Sequence, residues 1–172
     1  MNRGELLTRL TIWLALGAYA IGAAMMLRTR AGAQSMTYAR CAWTIGCALF
    51  IAHVVCAFSY YHRWSHAAAF HETARRTAEL TGLHWGWGLF LNYLFGAAWI
   101  ADVLWWWIAP DHFARRPPVI TIIWQAFAFF MVFNGTVVFG ASPVRWFGLL
   151  TCASLAALWL KQQRFQSPGA RR

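Results

Sequence analysis

The chain has 172 residues, of which 60% are hydrophobic and 12% are charged. Soluble domains usually carry about 25% charged residues, so this composition argues against a soluble domain. The formal net charge is +10, but the basic residues stand between apolar runs, where they would meet anionic lipid headgroups. We therefore expect a membrane protein whose main partner is the lipid bilayer with its anionic headgroups, and we do not expect nucleic acid as a partner.

Five predominantly apolar runs follow one another along the chain. Each is about long enough to cross a hydrocarbon core of roughly 30 Å as a helix, and only a helix satisfies its own backbone in lipid at these lengths. The sequence therefore predicts an all-α integral membrane helical bundle, a single domain over residues 1–172 with a flexible polar tail at 161–172. The five predicted transmembrane helices are Leu10–Leu27, Cys41–Tyr61, Trp85–Ala109, Val119–Phe139 and Val144–Leu160.

The ends of these runs carry the charged and aromatic residues that are typical of a membrane interface. Arg3 and Arg9 precede the first run, as they would in a secretory signal. Its apolar stretch is longer than the roughly 15 residues of such a signal, so we expect it to be retained as a helix. The third run has tryptophans at both ends, at 85–87 and 105–107, which we expect to anchor it at the two interfaces.

A short helix is predicted between the second and third transmembrane helices, over about residues 65–80. Glu72 and Arg76 form a favourable pair four residues apart, and Gly82 suits the C-terminal cap. Its apolar face is modest, which is typical of a helix that lies in the headgroup region. We therefore expect this segment to be an interfacial helix.

Charge bias between the loops predicts the orientation of the chain. One side would hold six basic residues: Arg3, Arg9, Arg63, Arg75, Arg76 and Arg145. The other side would hold nine: Arg28, Arg30, Arg40, Arg115, Arg116, Lys161, Arg164, Arg171 and Arg172. Because cytoplasmic loops carry the excess of Lys and Arg, we expect a cytoplasmic carboxyl terminus and an extracytoplasmic histidine loop.

Polar residues inside the predicted helices fall into two layers. At about 1.5 Å of rise per residue, one layer lies below the histidine-loop side and consists of His53, Asn92 and Asn134. The other lies below the basic side and consists of Asp102, Gln125 and Ser154. Asn, Gln and Ser between membrane helices commonly stabilise packing. Asp102 is costlier, at about 2.5 kcal/mol or more unless it is neutralised or paired, so it indicates either a salt bridge with Arg28 or Arg40, or a proton or ligand role.

Histidines make two cofactor sites conceivable. His62 and His66 are four residues apart, the two-ligand spacing of many zinc helices, and His71, Glu72 or His84 would complete a transition-metal site. His53 would be the first axial ligand of a haem b in a bundle. A second axial histidine is the difficulty, because His62 lies about 180° around a straight helix from His53. Otherwise His53 is neutral and hydrogen-bonded to Asn92 or Asn134, or acts as a proton relay.

These observations support two functional hypotheses. In the first, the chain is a small membrane subunit that binds a metal, haem or small ligand at the polar site around His53, Asn92 and Asn134, in electron or proton transfer. In the second, it is a non-catalytic structural or assembly component, a partner of other membrane subunits, whose polar residues only hold the helices together. No sequence motif specifies a reaction, so catalytic residues are not assigned.

Overall fold

The computed structural model describes residues 3–27, 33–140 and 144–166, and the regular elements in these ranges are all helical. In chain order they are α1 (Arg3–Met26), α2 (Ala33–Ala57), α3 (His66–Thr81), α4 (Gly88–Ile108), α5 (Pro110–Ala114), α6 (Pro118–Phe133) and α7 (Val144–Gln166). Two π-helical turns, Phe58–His62 and Asn134–Val138, continue α2 and α6 respectively.

Five of these helices are long and apolar enough to cross a membrane, as the sequence predicted. They are α1, α2 with its π-helical turn, α4, α6 with its π-helical turn, and α7 as far as Lys161. At most 33% of the most apolar window of any of them is buried within the protein. The larger part of each apolar helix is therefore exposed or half-buried.

Several helices begin or end at residues other than the ends of the predicted spans. α1 and α2 begin about two turns before the apolar runs, at Arg3 and Ala33, because a helix continues through polar residues that suit helical geometry. The third transmembrane helix begins at Gly88 rather than Trp85. The predicted tail at 161–172 is also corrected, since α7 remains helical to Gln166; residues 167–172 lie outside the described residues.

The short helix between the second and third apolar helices is present as α3. Ser65 is its N-cap and accepts a hydrogen bond from the backbone N–H of Ala68. Gly82 is its C-cap, with a φ of 76° that a residue with a Cβ rarely adopts. The predicted Glu72–Arg76 ion pair is formed at 2.8 Å. Its place at a membrane interface stays a prediction.

The chain divides into two compact units. The first comprises residues 1–15 and 46–114 and therefore holds the start of α1, the second half of α2, and α3 to α5. One part of its core surrounds Phe58, Ala69 and Leu89. A second part packs Phe50 against Phe95 and Trp99, and Trp106 stacks on Phe113 at the α4–α5 corner.

The second unit comprises residues 16–45 and 115–172. Trp43 is fully buried there, with Tyr19 at 5.5 Å and Trp124 at 6.4 Å between ring centroids. A Cβ added to Gly22 would lie 3.2 Å from the Trp43 ring. The small residue thus lets α1 and α2 approach closely within this unit, as small residues do between membrane helices.

Candidate functional site

His53 lies on α2 and bonds to the backbone of α1. Its Nδ1 is 2.9 Å from the carbonyl oxygen of Thr8. A carbonyl oxygen only accepts hydrogen bonds, so Nδ1 carries the proton and donates it. The neutral imidazole then has its lone pair on Nε2, which is the atom that can accept a hydrogen bond or coordinate a metal.

Small and hydroxyl-bearing residues of α1 bring the two helices together at this point. A Cβ added to Gly4 would lie 2.5 Å from Cγ of Tyr60, so the Tyr60 ring lies directly against the α1 backbone. One turn further, Thr8 is buried and its hydroxyl donates to the Gly4 carbonyl at 2.8 Å. The hydroxyl of Thr11 donates to the Thr8 carbonyl at 3.1 Å. The Thr8 carbonyl, which accepts the hydrogen bond from His53, thus lies where α1 packs closely against the chain at Tyr60.

The chain leaves α2 through a strained turn. The π-helical turn Phe58–His62 is followed by Arg63 and Trp64, with positive φ values of 46° and 61°. Both backbone N–H groups bond to the Phe58 carbonyl, that of Trp64 at 3.0 Å. Left-handed backbone at residues with a Cβ costs about 1–3 kcal/mol each and is enriched at functional sites, as are π-helical turns. The turn positions two imidazoles next to one aromatic ring.

An aromatic–histidine cluster surrounds that ring. Phe58 is only 8% exposed, and four other rings lie with centroids 5.4–6.2 Å from it: His62, Trp64, His66 and Tyr93. The Nδ1 of His66 is 2.8 Å from the Tyr93 hydroxyl, which ties the start of α3 to α4. A phenol and an imidazole in this contact can exchange a proton.

The remaining predicted polar residues have different surroundings. Asn92 is exposed on α4, next to Tyr93. Asn134 is half-buried, and its amide donates to the Phe130 carbonyl of its own helix at 2.8 Å. Gln125 is half-buried and Ser154 is exposed. Asp102 is buried at 8% exposure on α4. The hydrogen bond that the structure describes for His53 goes to Thr8; a bond to Asn92 or Asn134 was one of the predicted alternatives.

The predicted metal ligands do not form a cluster. Over residues 3–27, 33–140 and 144–166, no three His, Cys, Asp or Glu side chains are grouped so that they could hold a metal ion. His62 and His66 both lie against Phe58, and His84 is exposed in the segment between α3 and α4. A metal at His62 and His66 would therefore need ligands other than these residue types.

Ion pairs organise the exposed face of α3. The Arg75 and Arg76 guanidinium groups donate to the Glu72 carboxylate at 2.8–3.0 Å. These hydrogen bonds, Arg75 first, lower the pKa of Glu72 from 4.5 to about 2. Arg75 also pairs with Glu79. The exposed face of α3 thus carries a connected set of charges of both signs.

Two residues of the site were missed in the sequence. The Thr8 carbonyl carries no sequence signal, because any residue has one. Tyr93 had a weak signal, since it directly follows Asn92 and is a half-buried tyrosine, whose hydroxyl commonly finds a hydrogen-bond partner. The chain matches no protein-family model, no curated protein and no solved structure.

Proposed function

We propose that the chain is a multi-pass membrane protein that binds a haem or another small ligand at His53, through the imidazole Nε2. The hydrogen bond from His53 Nδ1 to the Thr8 carbonyl at 2.9 Å carries this proposal. Metal-binding imidazoles almost always donate their other ring N–H to a carbonyl, carboxylate or water, which fixes the tautomer and raises ligand basicity. His53 has this second hydrogen bond, from Nδ1 to the Thr8 carbonyl.

Membrane insertion is supported by helix length and by the position of the tryptophans. The 21 residues of α4 extend about 30 Å, which is the thickness of a bilayer hydrocarbon core. Trp87 and Trp107 are exposed at its two ends, as expected of residues at the two membrane–water interfaces. His53 belongs to the candidate span Gln34–His62, where an ionisable side chain indicates function by default.

The chain supplies two groups that suit such a ligand. The imidazole of His53 would coordinate a haem iron or accept a hydrogen bond from a ligand hydroxyl, while the Thr8 carbonyl holds its orientation. A bound haem would supply one-electron transfer. The His66–Tyr93 pair, in the same compact unit, would exchange a proton between phenol and imidazole.

The test uses two substitutions at His53 that separate binding from helix packing. In His53→Asn the side-chain amide nitrogen is attached to Cγ, as Nδ1 is, and can still donate to the Thr8 carbonyl, but the lone pair on Nε2 is lost. His53→Ala loses both. We expect the purified wild-type protein in mild detergent to show a Soret band or a retained ligand by mass spectrometry, and both variants to lose it by tenfold or more. Only His53→Ala should unfold at lower temperature, and His71→Ala, an exposed control on α3, should resemble wild type.

A second function, a non-catalytic assembly component, is favoured by a different observation. Several polar side chains donate hydrogen bonds to carbonyl oxygens of their own helices, including Thr77 to Thr73, Asn134 to Phe130 and Thr136 to Val132. The hydrogen-bonding capacity of these donors is used within the helix, so a ligand is not required to satisfy them. A wild-type protein with no chromophore and no retained ligand, combined with a His53→Asn variant that folds as wild type does, would contradict the ligand site and favour this function.

A further inference from the structure

An apolar groove lies at the start of α4. It has a volume of about 610 Å³ and is lined by Trp85, Trp87, Phe90, Leu91 and Leu94. Sites for small molecules have volumes of about 300–1,000 Å³ and mostly apolar and aromatic linings. The groove therefore has the size and the apolar lining of such a site, but it is open, since Trp85, Trp87, Phe90 and Leu94 are 47–58% exposed. His53 is not among its lining residues.

One wall of the groove is held in place by α3. A Cβ added to Gly86 would lie 2.7 Å from the Phe70 ring and 2.8 Å from its carbonyl oxygen, so the segment before α4 is pressed against α3. Trp87 and Phe90 both make edge contacts with Phe70, at 6.4 and 6.3 Å between centroids. Their own rings are 5.2 Å apart. The aromatic wall is thus preorganised, which lowers the entropic cost of binding.

The floor of the groove continues into the outward face of α4. Leu94 is 57% exposed, and the exposed apolar side chains further along the helix include Leu104 and Ile108. In a membrane this face would meet acyl chains, and Trp85 and Trp87 would lie at headgroup depth with their indole N–H groups available to a phosphate or ester. The groove residues Trp87 to Leu94 cover about 10 Å of helix rise, the upper part of one leaflet.

We propose that this groove binds the acyl chain of one membrane phospholipid, with the headgroup next to Trp85 and Trp87. The inference depends on the membrane location proposed above, but not on ligand binding at His53. An acyl chain suits the groove because its lining contributes indole N–H groups as its only side-chain polar atoms. The exposed imidazole of His84 directly precedes Trp85, so the headgroup end carries a residue that can donate to phosphate.

The test is a titration of the purified full chain in detergent with palmitoyl-oleoyl phosphatidylglycerol, followed by native mass spectrometry. We expect one tightly retained lipid per chain. Leu94→Trp, which fills the groove at an exposed position, should weaken that binding tenfold or more, and Trp85→Ala, which opens the wall, should weaken it as well. Leu104→Trp, on the same helix beyond the groove, should bind as wild type does.

Two outcomes would overturn the proposal. The first is equal retention in wild type and Leu94→Trp, and the second is equal loss in Leu94→Trp and Leu104→Trp. A wild-type dimer that becomes monomeric in Leu94→Trp would assign the groove to a second copy of the chain instead. Carbonate extraction of membranes distinguishes failure of this proposal from failure of the proposed membrane location. A chain that stays in the membrane but retains no lipid contradicts only lipid binding in the groove. A chain released by carbonate contradicts the membrane location itself.

Discussion

Arg63 and Trp64 are the two residues, among those described, that hold positive φ without being glycine. For a residue with a Cβ the left-handed conformation costs roughly 1–2 kcal/mol, and here two such residues adjoin the aromatic–histidine cluster. The π-helical turn precedes them, and the start of α3, held to α4 by the His66–Tyr93 hydrogen bond, follows them. These two fixed ends restrict the backbone conformations that residues 63 and 64 can adopt. Contacts of Phe58 with His62, Trp64, His66 and Tyr93 compensate for that strain.

Arg63→Gly should stabilise the protein. Glycine adopts this conformation without a Cβ penalty, and after its greater entropy in the unfolded chain is subtracted, we expect a gain of about 0.5–1 kcal/mol. Arg63→Ala is the matched control, because alanine loses the guanidinium but keeps the Cβ, and it should give no gain. The midpoint of denaturant unfolding in detergent measures both. If both variants were stabilised equally, the cause would be loss of the guanidinium side chain, which would contradict backbone strain at Arg63.

At the scale of the element, α3 owes part of its stability to ionised Glu72. Its folded pKa of about 2 lies below the ordinary value of 4.5, so the stabilisation is fully present above pH 4.5 and is lost as the pH falls towards 2. Because these pairs are mostly exposed, we expect only about 0.3–1 kcal/mol from them. Hydrogen exchange of the α3 amides should therefore quicken across this acid range, after correction for the intrinsic rate.

The matched variants for α3 are Glu72→Gln and Glu79→Gln. Glu72→Gln should show faster exchange at neutral pH and little further change on acidification, whereas Glu79→Gln, which leaves the pairs of Glu72 with Arg75 and Arg76 in place, should keep the acid dependence. High salt should shrink the difference, since exposed pairs are screened. If hydrogen exchange in Glu72→Gln depended on pH as it does in wild type, a group other than Glu72 would be the cause of that dependence.

The elements differ in how far they could be predicted from the sequence. The five apolar helices were predictable because a long apolar run has few other ways to satisfy its backbone, and α3 was predictable from its cap and its charge spacing. The π-helical turns and α5 were not, because they depend on local packing. His53 could be identified from its depth in the predicted helix, but its partner could not, because a backbone carbonyl carries no sequence signal. The role of Tyr93 depends on its hydrogen bond to His66, which brings together residues that are far apart in the sequence.

At the scale of the whole molecule, the predicted orientation depends on a small difference in charge. Five crossings would place the two ends of the chain on opposite sides, with six basic residues on one side and nine on the other. Arg115 and Arg116 stand together between α5 and α6, and Arg116 bonds to the Thr121 hydroxyl at 2.9 Å. They contribute two of the nine charges from one short loop, where the positive-inside rule acts most strongly.

Replacing both residues with glutamine should therefore disturb the orientation of the whole chain. The count becomes nine minus two, seven, against six, so we expect a mixed population in place of a single cytoplasmic carboxyl terminus. Paired carboxy-terminal fusions measure this, one reporter active only in the cytoplasm and the other only outside it. Arg75→Gln/Arg76→Gln, the control on the opposite side, should leave the wild-type orientation intact because it widens the difference. A wild-type fusion active only outside the cytoplasm would reverse the orientation and place the histidine loop, with its His66–Tyr93 pair, on the cytoplasmic side.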